Sequence, residues 1–263
     1  MNFDKKNFKT IQQIDGTGIH SPHDGELKTI AESVKEFMPK SSRVDVETVM
    51  QQAGGTLDDV GFGEDFTLGF EIFPGVRIHV VYFAPGTGDD EIENEPDVKF
   101  LFSGDAVSLV SSEDLASLAD LSMDYLRDLL AGNVTSPPEV PSDLLQRSIL
   151  QRIEPFTFLN KEDLPDLAAF VGGKLSASKA GWQLRKAFFP GIDIILKYDG
   201  RHIDFAREGD NINSINNYAK DQLSIFLLNH CLRFIGTRYE GLAMPAIVGK
   251  AFSFSYLRSR SDS

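Results

Sequence analysis

Phe66-Thr67-Leu68-Gly69-Phe70-Glu71-Ile72-Phe73-Pro74-Gly75-Val76-Arg77-Ile78-His79-Val80-Val81-Tyr82-Phe83 aligns without a gap over Trp182-Gln183-Leu184-Arg185-Lys186-Ala187-Phe188-Phe189-Pro190-Gly191-Ile192-Asp193-Ile194-Ile195-Leu196-Lys197-Tyr198-Asp199. Six of the eighteen positions are identical: Leu68/Leu184, Phe73/Phe189, Pro74/Pro190, Gly75/Gly191, Ile78/Ile194 and Tyr82/Tyr198. Beyond the Phe-Pro-Gly corner, Val76, Ile78, Val80 and Tyr82 alternate just as Ile192, Ile194, Leu196 and Tyr198 do. A period of two belongs to a half-buried strand, so each stretch reads as two strands joined by a tight turn.

The match extends outward on both sides. Gly54-Gly55-Thr56-Leu57 answers Gly172-Gly173-Lys174-Leu175, and each follows an apolar-periodic segment (44–53 and 163–171) that reads as a helix ended by glycine. Gly104-Asp105 answers Gly209-Asp210, each ahead of a helical stretch expected to end at Gly132 or Gly236. Ser111-Ser112-Glu113-Asp114 resembles a capping box, and Asn213-Ser214 supplies N-cap residues for the second helix. The expected fold class is therefore α+β, with two related helix–antiparallel strands–helix units arranged as a pseudo-twofold repeat. In the second unit Asp199-Gly200 makes a hairpin where the first has the loop from Ala84 to Asp97. The expected layout is a flexible N-terminal arm over 1–24, a first unit over 25–132 whose opening helix runs from Glu26 to Met38, and a linker over 133–141 with three prolines. A second unit over 142–236 and a C-terminal extension over 237–263 complete it. Within the extension, Ala251 to Leu257 alternates like a strand, and the tail from Arg258 is expected to fray.

The 263 residues are 25% charged and 41% hydrophobic, an ordinary globular composition with enough chain to bury a core. The single cysteine, Cys231, excludes intramolecular disulfides and thiolate metal clusters. Met1 to Lys6 leads into no stretch of signal-peptide length, and no run of about 18 apolar residues occurs, so a soluble cytoplasmic protein is expected. The net charge of −13 is uneven: residues 1–137 hold 10 Lys/Arg against 25 Asp/Glu, and residues 138–263 hold 16 against 14. Such acidity repels phosphate backbones and anionic headgroups, which disfavours nucleic acid and membranes and favours a basic protein partner or a cation.

Gly54-Gly55, the Phe73-Pro74-Gly75 corner, Gly88-Asp89-Asp90-Glu91, Val98-Lys99-Phe100-Leu101-Phe102 and Ser112-Glu113-Asp114-Leu115 together resemble the C-terminal half of an uncharacterised prokaryotic family, domain of unknown function 3786. The resemblance covers residues 54 to 126 and rests on turn and core positions. It implies no reaction and carries over no functional residue. The second copy of the unit departs from the family pattern.

Asp89, Asp90, Glu91, Glu93, Glu95 and Asp97 place six carboxylates in nine residues. They suit a docking surface for a basic partner or, through Asp89, Asp90 and Glu91, a hard cation. The loop lacks the glycine-turned ordering of a calcium loop, and a solvated loop is the plainer reading. His20 and His23, with Asp24 and Glu26, offer transition-metal chemistry on the expected arm. His79 shares a strand face with Arg77, opposite Val76, Ile78 and Val80, and reads as a surface histidine; His202 reads as a hairpin residue. The stripe Leu223, Phe226, Leu227, His230 and Phe234 makes His230 a hydrogen-bonded core residue, with Cys231 pointing elsewhere.

Gly-x-Ser-x-Gly, His-Glu-x-x-His, Walker and dinucleotide fingerprints are absent. No catalytic residue and no cofactor are therefore assigned. The expected function is a non-catalytic binding or regulatory module that uses its acidic first half, with homodimerisation left open. The alternative is a metal-assisted enzyme or small-ligand protein with a site between the two units.

Overall fold

Two Pro-Gly corners organise the backbone. The computed structural model describes residues 8–16, 21–86, 95–132, 143–177 and 181–261. The chain divides into two compact units, the first holding residues up to Asn133 together with Phe254–Ser263, and the second Val134–Ser253. The class is α+β, and each unit carries a four-stranded antiparallel sheet with helices before and after it.

The first unit begins with α1 (Ile11–Asp15), α2 (Pro22–Phe37) and α3 (Arg43–Gln52). The meander β1 (Thr56–Asp58), β2 (Phe66–Phe73), β3 (Val76–Phe83) and β4 (Asp97–Ser103) follows, and then α4 (Ser112–Leu130). The second unit holds α5 (Leu144–Arg152), α6 (Leu164–Val171), β5 (Lys174–Ala177), β6 (Trp182–Phe189), β7 (Ile192–Tyr198), β8 (Ile203–Glu208), α7 (Asn217–Arg238) and α8 (Ala246–Lys250). The sheets run β1-β2-β3-β4 and β5-β6-β7-β8.

Their registers agree position by position. Phe66 faces Tyr82 as Trp182 faces Tyr198, and both hairpins shift register just before the corner, at Glu71/Phe73 and Ala187/Phe189. Gly75 and Gly191 have φ of 70° and 72°, a conformation that glycine adopts without a Cβ penalty. Each corner also receives a second strand end. Ala106 N–H donates to Gly75 O (3.0 Å) and Asn211 N–H to Gly191 O (2.9 Å). Gly104 (φ 110°) and Gly209 (φ 114°) pass so close that a Cβ on either would overlap that same carbonyl.

One face of each sheet packs on helices. In the first unit Leu68, Ile78, Val80 and Phe102 are fully buried, as are Val34 of α2 and Leu115 and Leu126 of α4. In the second, Leu184, Ile194 and Leu196 are buried, as are Leu223 and Leu227 of α7. Each such side chain contributes about 1.5–3 kcal/mol.

Four expectations need correction. The N-terminal segment is no loose arm where it is described: Thr10 caps α1, Ile11 and Ile14 are buried, and the Asp15 carboxylate accepts the hydroxyls of Ser21 and Ser112. The helix expected from Glu26 starts at Pro22 and ends at Phe37, because Ser21 is its N-cap and proline suits the first helical position. Helix α7 does not end at Gly236 but runs to Arg238; that glycine is buried, and a Cβ there would strike Val248 and Phe252, so it serves packing instead of termination. The expected C-terminal strand and frayed tail are instead a helix, α9 (Phe254–Ser261), which belongs to the first unit. Phe252 is buried but Phe254 is 67% exposed, so the apolar alternation defines no single buried face. Arg258 Nη1 donates to Gly16 O (3.0 Å), closing the α1 C-terminus. The prolines of the expected linker lie outside the described residues.

The paired corners yield a prediction. Gly104→Ala and Gly209→Ala should each lower urea-unfolding stability by about 1–3 kcal/mol. Gly25→Ala, helical with open space around it, should raise stability by about 0.5–1 kcal/mol.

Candidate functional site

The second face of the first sheet carries Asp58 on β1, Thr67 and Gly69 on β2, Arg77, His79 and Val81 on β3, and Leu101 and Ser103 on β4. A sheet face that meets water would leave these polar groups solvated. Here Thr67 and His79 are fully buried, Ser103 is 6% exposed, and the Asp58 side chain is 6% exposed.

The pivot is Gly69. It sits opposite Thr56 on one side and His79 on the other, and a Cβ there would overlap both Asp58 and Arg77. With no side chain on β2, Asp58 reaches across it to β3. Arg77 grips the carboxylate with Nε at 2.9 Å from Oδ2 and Nη2 at 2.8 Å from Oδ1, and Nη2 also donates to the Thr56 hydroxyl. His79 Nδ1 lies 3.2 Å from Asp58 Oδ2, and its Nε2 lies 2.7 Å from Ser103 Oγ. With Ser103 O–H donating to Nε2, the Nδ1 side of the ring faces the Asp58 carboxylate as a close polar contact. A polar belt thus crosses the sheet from its first strand to its last.

Two segments cover the belt. Lys9 forms an antiparallel bridge to Phe102 through two backbone hydrogen bonds (2.8 and 2.9 Å), which brings the Phe8 ring edge-on to the imidazole at 5.0 Å. Phe62, 46% exposed, lies 6.2 Å from Phe8 on the loop between β1 and β2. That loop is drawn around the Glu64 carboxylate, which accepts the N–H groups of Val60 (2.6 Å) and Phe62 (2.7 Å) and the Thr67 hydroxyl (3.2 Å).

Burial alone would raise the Asp58 carboxyl, but hydrogen bonds from His79, Arg77 and Thr56 outweigh it and hold the group below its ordinary value. The belt is specific to the first unit. The positions of Gly69, Arg77, His79 and Ser103 are taken in the second by Arg185, Asp193, Ile195 and Glu208. There Arg185, 40% exposed, bonds Asp193 (2.7 Å) and Glu208 on an open face.

His79 is therefore corrected from a surface residue to a buried one. It shares the Arg77 face as expected, but the cover and the acid come from segments distant in sequence. His202 is exposed on its hairpin, with Nδ1 3.1 Å from Asp199, as expected of a turn residue. His230 is buried as expected, stacked on Phe170 at 4.6 Å; burial, then Arg233 and Lys186, push it well below its ordinary value and keep it neutral. Burial pushes the Cys231 thiol far up, so it is unreactive.

His20, Asp89, Asp90, Glu91 and Glu93 lie outside the described residues. His23 stands on α2 with Nδ1 3.2 Å from Glu26, Glu95 is exposed, and Asp97 pairs with Lys99 (3.3 Å). Among the described residues, no three His, Cys, Asp or Glu side chains gather to hold a metal, and no helix is long and apolar enough to cross a membrane.

The lowered Asp58 carboxyl fixes the sign of a pH effect. The unfolded chain binds that proton more readily, with a value of about 3.9, so the stabilisation is complete above it and is lost as pH falls through the folded value. Wild type should lose more melting temperature between pH 5 and 3 than Asp58→Asn, and at pH 7 Asp58→Asn should cost about 2 kcal/mol by leaving Arg77 without its carboxylate. Against protein-family models, curated proteins and solved structures the chain finds no match.

Proposed function

We propose that the protein is a binding module whose first unit is the contact surface for a basic protein partner. The observation that carries this reading is the way charge follows the compact units. The first holds 12 Lys/Arg against 26 Asp/Glu, net −14, and the second 14 against 13, net +1. A shared fold does not require that difference, since the second unit builds the same sheet without it. Charge confined to one unit creates a directional field, which steers a cationic partner and speeds its encounter.

The described surface is crowded with acid. Glu47, Asp59, Glu71, Glu113, Asp120 and Asp124 are exposed. The Asp120 carboxyl is raised first by desolvation and then by the charges of Asp124 and Glu26, with Arg127 opposing. The acidic stretch from Asp89 to Asp97 belongs to this same unit and adds six carboxylates to its charge.

The test is charge reversal. Asp89, Asp90, Glu91, Glu93 and Glu95 changed together to Lys should leave the melting curve in place. They should also cut recovery of a stoichiometric basic partner, measured by quantitative pull-down and mass spectrometry, at least tenfold. Wild-type recovery should fall similarly between 50 and 300 mM salt, and reversal of Asp204 and Glu240 in the second unit should leave it unchanged. A partner held equally by the reversed chain, or recovery indifferent to salt, overturns the proposal.

A further inference from the structure

We propose, beyond the binding role, that Ser103 is the nucleophile of an acyl-transfer site, activated by His79 and Asp58 and closed by the Phe8 ring. The sequence of contacts is the first support. Oγ to Nε2 is 2.7 Å and Nδ1 to carboxylate is 3.2 Å, which is hydroxyl, imidazole and acid in the order that removes a proton from a serine. Three different strands supply these groups, so only the folded sheet assembles them.

The second support comes from within the chain. The second unit keeps the strand order, the register and the bulge while placing Ile195 and Glu208 where His79 and Ser103 stand. The fold therefore does not need a serine–histidine–acid chain. Gly69 is the matching specialisation, since the second unit has Arg185 there and closes the route that Asp58 takes.

Arg77 has a defined part in this arrangement. Its two-pronged grip keeps Asp58 ionised beside the ring, so the carboxylate is ready to stabilise an imidazolium. Leu101 lies across from His79 on the neighbouring strand and the Phe8 ring stands against the imidazole, an apolar flank that suits an ester of an apolar acyl group. The adjacent Lys9 is held by a bridge of two hydrogen bonds, and Phe8 stands edge-on to the imidazole that Ser103 bonds, so moving the segment opens access to that ring.

The step balances with water as co-reactant. Ser103 Oγ bonds to the ester carbonyl carbon while its proton passes to His79 Nε2. The carbon–oxygen bond to the alcohol then breaks, and the departing oxygen takes the proton from Nε2. Water next attacks the acyl-serine, giving its proton to Nε2, which returns one to Oγ as the acid leaves.

Fluorophosphonate labelling followed by peptide mass spectrometry tests this without reference to any protein partner. The expected result is a single adduct on Ser103, forming at least tenfold faster in Phe8→Ala and at least a hundredfold slower in His79→Gln. No adduct in either wild type or folded Phe8→Ala overturns the proposal, as does an adduct on another residue. Ser103→Cys guards against variants that fail to fold. It should react with iodoacetamide at pH 6 at least tenfold faster than Ser103→Cys/His79→Gln, with the buried Cys231 not competing. Equal rates overturn it.

Discussion

The crossing of two glycine backbones fixes the geometry of each unit. Where the Pro-Gly corner turns, its carbonyl accepts a hydrogen bond from the segment leaving the last strand, and a second glycine passes against it with no room for a methyl group. That contact ties the tip of the central hairpin to the far edge of the sheet. It sets where β4 and β8 stop, and hence which residue, Ser103 or Glu208, stands beside the first residues of β3 or β7. The helices that follow start from that fixed point.

On this shared frame the two units diverge by what they do with the second sheet face. In the second unit it remains an ordinary polar surface, with an arginine spanning two carboxylates at partial exposure, an arrangement that contributes little to stability. In the first, an absent side chain at Gly69 lets an acid from the edge strand lie across the sheet, and aromatic residues close over it. Burial makes the polar belt demanding, because each member must find its partner inside the protein. Asp58 is held by Arg77, and His79 bonds Ser103 through Nε2 with the Asp58 carboxylate 3.2 Å from its Nδ1.

The strands, the corners and the repetition of the unit were legible because they depend on local chemistry: alternation, and proline and glycine at a turn, whereas the second long helix is capped by Asn216 and not by the expected Asn213-Ser214. The Phe73–Gly75 and Phe189–Gly191 corners are read directly from such signals. What escaped was the work of distant residues. Gly236 resembled a terminator because its packing partners, Val248 and Phe252, lie beyond it in sequence. The belt was hidden for the same reason: Asp58, His79 and Ser103 lie up to 45 positions apart and share no motif. The available signal was the paired exchange of Gly69 for Arg185 and His79 for Ile195 within otherwise matching strands. Two coordinated departures on one face of a repeat mark a specialised surface more sharply than either residue does alone.

The bridge between Lys9 and Phe102 has a consequence for assembly. Lys9 pairs with the outer edge of β4, and its neighbour Phe8 lies against the imidazole beneath. An edge strand freed of such a neighbour exposes unpaired N–H and C=O groups to any other extended chain. Whatever displaces Phe8 by moving this segment also bares that edge, so occupancy of the covered face and strand-to-strand self-association become thermodynamically linked. By reciprocity, a chain that paired with the β4 edge in place of Lys9 would favour the uncovered state of the face.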